Sequence, residues 1–340
     1  MTDRPVTTAV LLVGGFGTRL RPLTLSTPKQ MLPVAGPSML ERVLAHLAGH
    51  GVTRAVLALG YKADGFTAAY PDGRCAGVEL VYAVEPEPLD TAGAIAFAAR
   101  QAQVDSTFLA LNADVVNDLD ITELVDFHRA TSAEGTIHLT PVDDPSRYGV
   151  VPIDAQGRVQ AFIEKPPPGE APTNWINGGT YVLEPSVLDR IEPGRKVSIE
   201  REVFPAMVVD GTLFALERDG RWVDAGTPAT YLQVSLQFLD GTAGNDPAIA
   251  PDAHVDPHAT VTDSWIGPRA RVEAGATVDH GLVLAGATVG AGASVRHSII
   301  GPGAAVGAAA SINGMSVIGD GVVVEPGAVL HEARVPAEAE

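Results

Sequence analysis

The 340-residue chain is 46% hydrophobic and carries 23 basic against 41 acidic side chains, a formal net charge of -18. That length accommodates two domains, and that charge argues against nucleic acid or an anionic membrane as a partner. No run of 18 apolar residues occurs, MTDRPVTTAV lacks a signal-peptide core, and the lone Cys75 can form no internal disulfide, so a cytoplasmic protein is expected.

In chain order, strands are expected at 7–13, 54–60, 78–84 and 107–112, and helices at 38–50, 92–103 and 120–131. This alternation predicts an α/β domain built on a mostly parallel, doubly wound sheet, with ligands beyond the carboxyl ends of the strands. From 135 to 183 the pattern becomes strand-rich (TIHLTPV, YGVVPI, RVQAFIEK, INGGTYVL), which reads as a β extension walling one side of the pocket. Helices at 200–209 and 228–239 complete a domain over 1–240, and the Gly, Pro and Asp of 241–252 mark a linker.

Residues 253–335 hold an internal repeat. Val255, Val272, Val289 and Val306 lie 17 apart, as do Val261, Val278, Val295 and Ile312, and Ile266, Val283, Ile300 and Val317. Spacings of six, six and five within each unit, filled by Ala and Gly, predict three short strands per turn of a triangular β-helix. The expected role is structural, assembling a homo-oligomer.

The chemistry concentrates near the N-terminus. An apolar run, Ala9 to Val13, stops at Gly14, and Gly15, Gly17, Thr18, Arg19, Arg21 and Lys29 follow. Glycines let backbone N–H groups approach an anion, and arginines supply fixed charge, so this is a candidate phosphate loop. Thr18 and Arg19 after Gly17 exclude a P-loop, and Leu20 excludes a dinucleotide fingerprint. Asp114, at the end of the apolar strand FLALNAD, would face the ligand crevice and could bind magnesium together with phosphate oxygens. Asp224 lies between a short strand and a helix start at Gly226-Thr227-Pro228.

The whole stretch VLLVGGFGTRLRPLTLSTPKQMLPVAG, 10–36, resembles the signature GGxGTRLxPLT…PK of the sugar-1-phosphate nucleotidylyltransferases. YAVEPEPLDTAGA (82–94) is similar to the EEPLGTAG of the GDP-mannose pyrophosphorylases within that family, SIEREVFP to their SxEREVFP, and WVDAGTP to WxDIGTP. The resemblance implies a nucleotidyltransferase-like domain followed by a left-handed β-helix. It implies that GTP and a sugar 1-phosphate, mannose 1-phosphate first, give an NDP-sugar and pyrophosphate with Mg2+. Arg19 would bind the β/γ-phosphates, Lys29 the α-phosphate and Lys165 the sugar phosphate. Leu12, Gly14, Gly15, Gly17, Thr18, Glu85, Asp90 and Thr91 would surround the nucleotide, Gly149, Glu164 and Asn177 the sugar, and Asp114 and Asp224 the metal. Glu85 suits guanine, because one carboxylate can accept from both N1–H and N2–H.

Three positions depart from the family pattern: Asp90 stands for a usual glycine, Gln30 for proline and Gly178 for alanine. They leave room for a carbasugar phosphate such as valienol 1-phosphate as acceptor, or for dTTP or ATP with glucose 1-phosphate. A silent paralogue sensing NDP-sugars is a further alternative, as is an acyltransferase using His258, His280 or His297.

Overall fold

A computed structural model describes residues 5–60 and 63–337, which leaves Lys62 outside. By internal contacts the chain forms two compact units. One joins the chain up to Gly15 to Glu41–Trp222, and the other joins Phe16–Leu40 to everything from Val223 onward.

The first half of the chain runs β1 (Thr8–Leu12), α1 (Met39–Gly49), β2 (Arg54–Leu59), α2 (Ala63–Ala69), β3 (Arg74–Cys75), β4 (Val78–Val84), α3 (Asp90–Gln101), β5 (Phe108–Asn112), β6 (Val115–Asn117) and α4 (Ile121–Thr131). Then come β7 (Gly135–Pro141), β8 (Gly149–Val150), β9 (Ile163–Glu164), β10 (Trp175–Leu183), α5 (Phe204–Asp210), β11 (Leu213–Glu217), β12 (Trp222–Asp224) and α6 (Pro228–Gln237).

In the first unit the sheet order is β11-β7-β10-β5-β1-β2-β4-β3, extended by β8 and β9. β1, β2, β4 and β5 are mutually parallel, β11 is parallel to β7, and β10 runs antiparallel between β5 and β7. The sequences TAVLL, RAVLAL and FLALN are near-continuous apolar runs because central parallel strands are covered on both faces. The helix α3 is rich in Ala, and seven of its residues are buried, so it lies close on β1, β2 and β4. Asp120 caps α4 by accepting from Glu123 N–H at 3.1 Å.

The strand-rich reading of 148–165 needs correction: only Gly149–Val150 and Ile163–Glu164 form strands. Asp154 interrupts the segment, accepting from Gln156 and Arg158 N–H to make a polar turn. Around 200–209, a π-type turn over Ile199–Val203 precedes α5, whose first turn contains Pro205.

In the second unit, Phe16–Leu40 forms three single turns, Thr18–Leu20, Leu23–Leu25 and Lys29–Met31. Thr227 opens α6 with a capping box, and Tyr231 OH donates to Pro33 O at 2.6 Å, tying helix to loop. Beyond it, three parallel sheets of five short strands stack as a left-handed β-helix. Ile266, Val283, Ile300 and Ile318 pair in line and are fully buried. The third predicted series therefore ends on Ile318 rather than Val317. One residue is inserted between Ile312 and Val317, so Val306 pairs with Val324 and Ile312 with Leu330, 18 apart.

Candidate functional site

In the first unit, Gly14, Glu85 and Asp114 follow three parallel strands at the same sheet edge, as the crossover topology requires. Leu12 is the last residue of β1, opposite Asn112, and its carbonyl accepts from Ala113 N–H at 3.2 Å, which fixes where Asp114 begins. Gly15 has φ +103°, a conformation reserved for glycine, and a Cβ at Gly14 or Gly15 would meet nothing within 4 Å. Backbone beside open space is what an anion cradle needs.

Glu85 Oε2 accepts from Leu89 N–H at 2.9 Å, closing the turn into α3. Burial raises the Glu85 pKa, and the Leu89 bond opposes that rise. Asp90 has φ +60° at the start of α3, and its carboxylate accepts from Thr91 N–H at 2.8 Å. The glycine usual at this position is thus a conformational requirement, which aspartate meets better than most residues.

Thr91 is placed differently from a residue left open for a nucleotide. Its hydroxyl donates to Glu200 Oε2 and accepts from Ile199 N–H, both at 2.8 Å, while Ser198 Oγ donates to the same Glu200 oxygen. Ala92 and Gly93 N–H bond Val197 O, so the SIEREVFP segment is clamped onto the α3 start. Sequence reasoning used that segment only as a family mark; Glu200 is its structural pivot.

Among the residues expected to face a sugar, a Cβ at Gly149 would lie 2.7 Å from the Phe162 ring and 3.2 Å from Glu164 Oε2, so only glycine fits there. Lys165 Nζ pairs with Glu164 Oε1 at 3.3 Å. Asn177 Oδ1 accepts from Gly179 N–H at 3.0 Å, and its Nδ2 donates to Tyr181 OH at 2.9 Å. These bonds hold a bulge: the β10–β7 register shifts between Asn177 and Tyr181, leaving His138 alone opposite the extra residues. Trp222 Nε1–H donates to Gly178 O at 2.9 Å. His138 is 3% exposed, and burial lowers its pKa to about 4. A lone histidine in an apolar strand gave no signal of this role.

In the second unit, Gly17 has φ +60° and its carbonyl accepts from Thr24 Oγ1 at 2.7 Å. A Cβ there would sit 3.0 Å from Thr24 Cγ2 and 3.4 Å from Lys29 Cβ, so the glycine lets the loop fold against itself. Thr18 and Arg19 are exposed on the following turn. Arg19 Nη2 lies 3.7 Å from Asp224 Oδ2, and a Cβ on Gly226 would come within 2.5 Å of that nitrogen and 2.7 Å of Asp224 Oδ1. Gly226 therefore makes room for the pair. Asp224, with Oδ1 buried and Oδ2 beside a cation, has the chemistry of a carboxylate that faces positive charge. Among the described residues no cluster of three or more His, Cys, Asp or Glu could hold a metal by itself. No helix among the described residues is long and apolar enough to cross a membrane.

A mostly parallel sheet whose first strand runs into a glycine turn is the arrangement on which nucleotide-binding α/β domains are built. A model of the nucleotidyl transferase family matches residues 8–241, and the chain belongs to that family. A model of the GMPPB C-terminal domain matches 244–339. The mannose-1-phosphate guanylyltransferase of Mycobacterium tuberculosis is 44% identical over 237 residues, 69% of this chain and 65% of that protein, a little under two thirds of its length. The Schizosaccharomyces pombe mannose-1-phosphate guanyltransferase is 42% identical over 265 residues, 74% of this chain and 72% of that one. The structure of HddC from Yersinia pseudotuberculosis superposes with a TM-score of 0.60 at 30% identity, covering 68% of this chain and all of that one. HddC complexed with GMP-PN gives 0.59 over the same shares. Nucleotidyltransferases of this kind use a divalent metal.

Proposed function

We propose that this chain is a sugar-1-phosphate guanylyltransferase, joining GTP and mannose 1-phosphate to give GDP-mannose and pyrophosphate. The observation that carries the reading is the Arg19–Asp224 pair, which puts an arginine of the GGxGTRL signature beside the aspartate of the WVDAGTP motif. The names of the relatives support the nucleotide and the sugar.

A phosphate oxygen of the sugar phosphate attacks the α-phosphorus of GTP, the bond to the β-phosphate bridge breaks, and pyrophosphate leaves. The Gly14–Gly15 backbone binds phosphate, Lys29 offsets charge at the α-phosphate, and Arg19 offsets charge on the leaving pyrophosphate. Asp114 and Asp224 would hold Mg2+, which would supply further charge neutralisation at the phosphates. Glu85 reads guanine, Lys165 and Glu164 hold the sugar phosphate and hydroxyls, and Asn177 shapes the sugar wall through its bulge. Arg19, Lys29, Asp114 and Asp224 are all present, which disfavours a silent paralogue. Self-association through the β-helix belongs to the same reading, supported by the exposed Val323 and Val329 of its last coil.

The test is pyrophosphate release from four nucleotides against mannose 1-phosphate, glucose 1-phosphate and valienol 1-phosphate, with and without a chelator. GTP with mannose 1-phosphate should be the preferred pair, and turnover should need the metal. Preference for dTTP or ATP, or for the carbasugar phosphate, would replace the guanylyl or the mannosyl assignment.

A further inference from the structure

The loop that bears Arg19 rests on the β-helix. Within the second unit, Ser26 Oγ donates to Asp320 Oδ2, and Pro22 is buried against Gly319. A Cβ added to Gly319 would lie 3.0 and 3.1 Å from Pro22 Cβ and Cγ, and the backbone there has no left-handed φ that would itself demand glycine. The position is held small, in part, by a proline from the other end of the chain.

The repeat is broken at the same place. Pairing of Ile266, Val283, Ile300 and Ile318 fixes the equivalent corners two residues on as Pro268, Ala285, Pro302 and Asp320. Three corners carry Pro or Ala, residues that only turn the chain. The fourth carries a carboxylate, and it is the corner that Ser26 meets.

From that corner a short route leads to Arg19. Pro22 precedes the turn Leu23–Leu25, Thr24 of that turn bonds Gly17 O at 2.7 Å, and Gly17 caps the turn Thr18–Leu20 that carries Arg19. Arg19 in turn meets Asp224.

We infer that the Gly319–Asp320 corner of the β-helix braces the arginine-bearing loop, so that Gly319, Asp320, Pro22 and Ser26 are positioning residues for Arg19. The β-helix then serves catalysis directly, by fixing where one guanidinium stands, besides any part in assembly. The kinetic side of this inference rests on the role of Arg19 given above; the structural side does not.

Two measurements on the full chain test it. Hydrogen exchange should show lost protection in 16–31 for Asp320→Ala and Ser26→Ala, with the remaining coils unchanged, and Asp320→Asn, which keeps an acceptor, should restore it. Steady-state kinetics with GTP and mannose 1-phosphate should show kcat lowered roughly tenfold in both alanine variants, as for a misplaced charge partner, with the KM for mannose 1-phosphate unchanged. The double variant should be no worse than either single one. Gly319→Leu should reproduce the defect by displacing Pro22, and Pro302→Ala, at the equivalent corner, should behave as wild type. Unaltered exchange in 16–31, or loss spread evenly over the β-helix, would overturn the brace. Wild type inactive on GTP and every sugar phosphate would overturn the proposed function and leave the exchange experiment to decide the brace.

Discussion

The imidazole of His138 stands where a side chain at position 178 would begin: a Cβ on Gly178 would lie 2.4 Å from His138 Nδ1 and 2.9 Å from its carbonyl oxygen. Gly178, which departs from the alanine of the family pattern, is therefore half of a pair. The histidine fills the volume, and the glycine concedes it, beside the Asn177 bulge.

Gly178→Ala should overpack this contact and destabilise the fold by about 1–3 kcal/mol. With His138→Ala added, much of the loss should return, because the imidazole is the nearer obstacle. Chemical denaturation of the two single variants and the double one reads the coupling. Strictly additive effects would mean that the two positions do not share the space.

His138 also makes stability depend on pH. Its folded-state pKa is near 4 because burial disfavours the imidazolium, against 6.5 for an ordinary histidine. The unfolded chain therefore binds the extra proton between those values, so stability is complete above 6.5 and declines as pH falls toward 4. The contribution amounts to about 2 kcal/mol by pH 5 and about 3 kcal/mol below pH 4. His138→Asn should flatten this part of the profile, measured as urea midpoints from pH 7 to pH 4. A slope identical to wild type would remove His138 as its source.

Asp90→Gly should stabilise by up to about 1 kcal/mol, since it relieves a left-handed φ of +60° at no cost but one exposed cap. Asp90→Val should destabilise by at least as much. The preference among nucleotides should be the same in Asp90→Gly as in wild type, because the carboxylate is engaged by Thr91 N–H. A shifted preference in kcat/KM would show that Asp90 reaches the base or ribose.

Glu85 should give GTP roughly tenfold to a hundredfold over ATP in kcat/KM, the value of a hydrogen bond to a charged group. Glu85→Gln should erode that preference. Because burial raises the Glu85 pKa, the KM for GTP should begin to climb, as pH falls, at a higher pH than an ordinary glutamate would give. An unchanged ranking in Glu85→Gln would take guanine reading away from this residue.

Much of the architecture was legible because central parallel strands are apolar runs and helices carry caps: β4 was expected over 78–84 and occupies Val78–Val84. β11 was missed, since its five residues follow a glycine turn closely and its place beside β7 is a tertiary fact. The coil insertion was hidden because Val317 and Ile318 are both aliphatic, and a step of 17 fits one as well as 18 fits the other. Residue type alone singles out Arg19, Glu85 and Asp114 as candidates. Type did not reveal that Asn177 and Thr91 spend their side-chain bonds on neighbouring chain, or that His138 and Glu200 organise those neighbours. Such roles depend on register and on which strand lies opposite, and neither is written locally.

Ser26 and Asp320 are 294 residues apart. A ribosome adding about 5–20 residues per second needs about 15–60 s to travel between them. Throughout that interval the arginine loop has been made and the corner on which it is inferred to rest has not. Arg19 can reach the braced setting inferred above only after Asp320 has been translated.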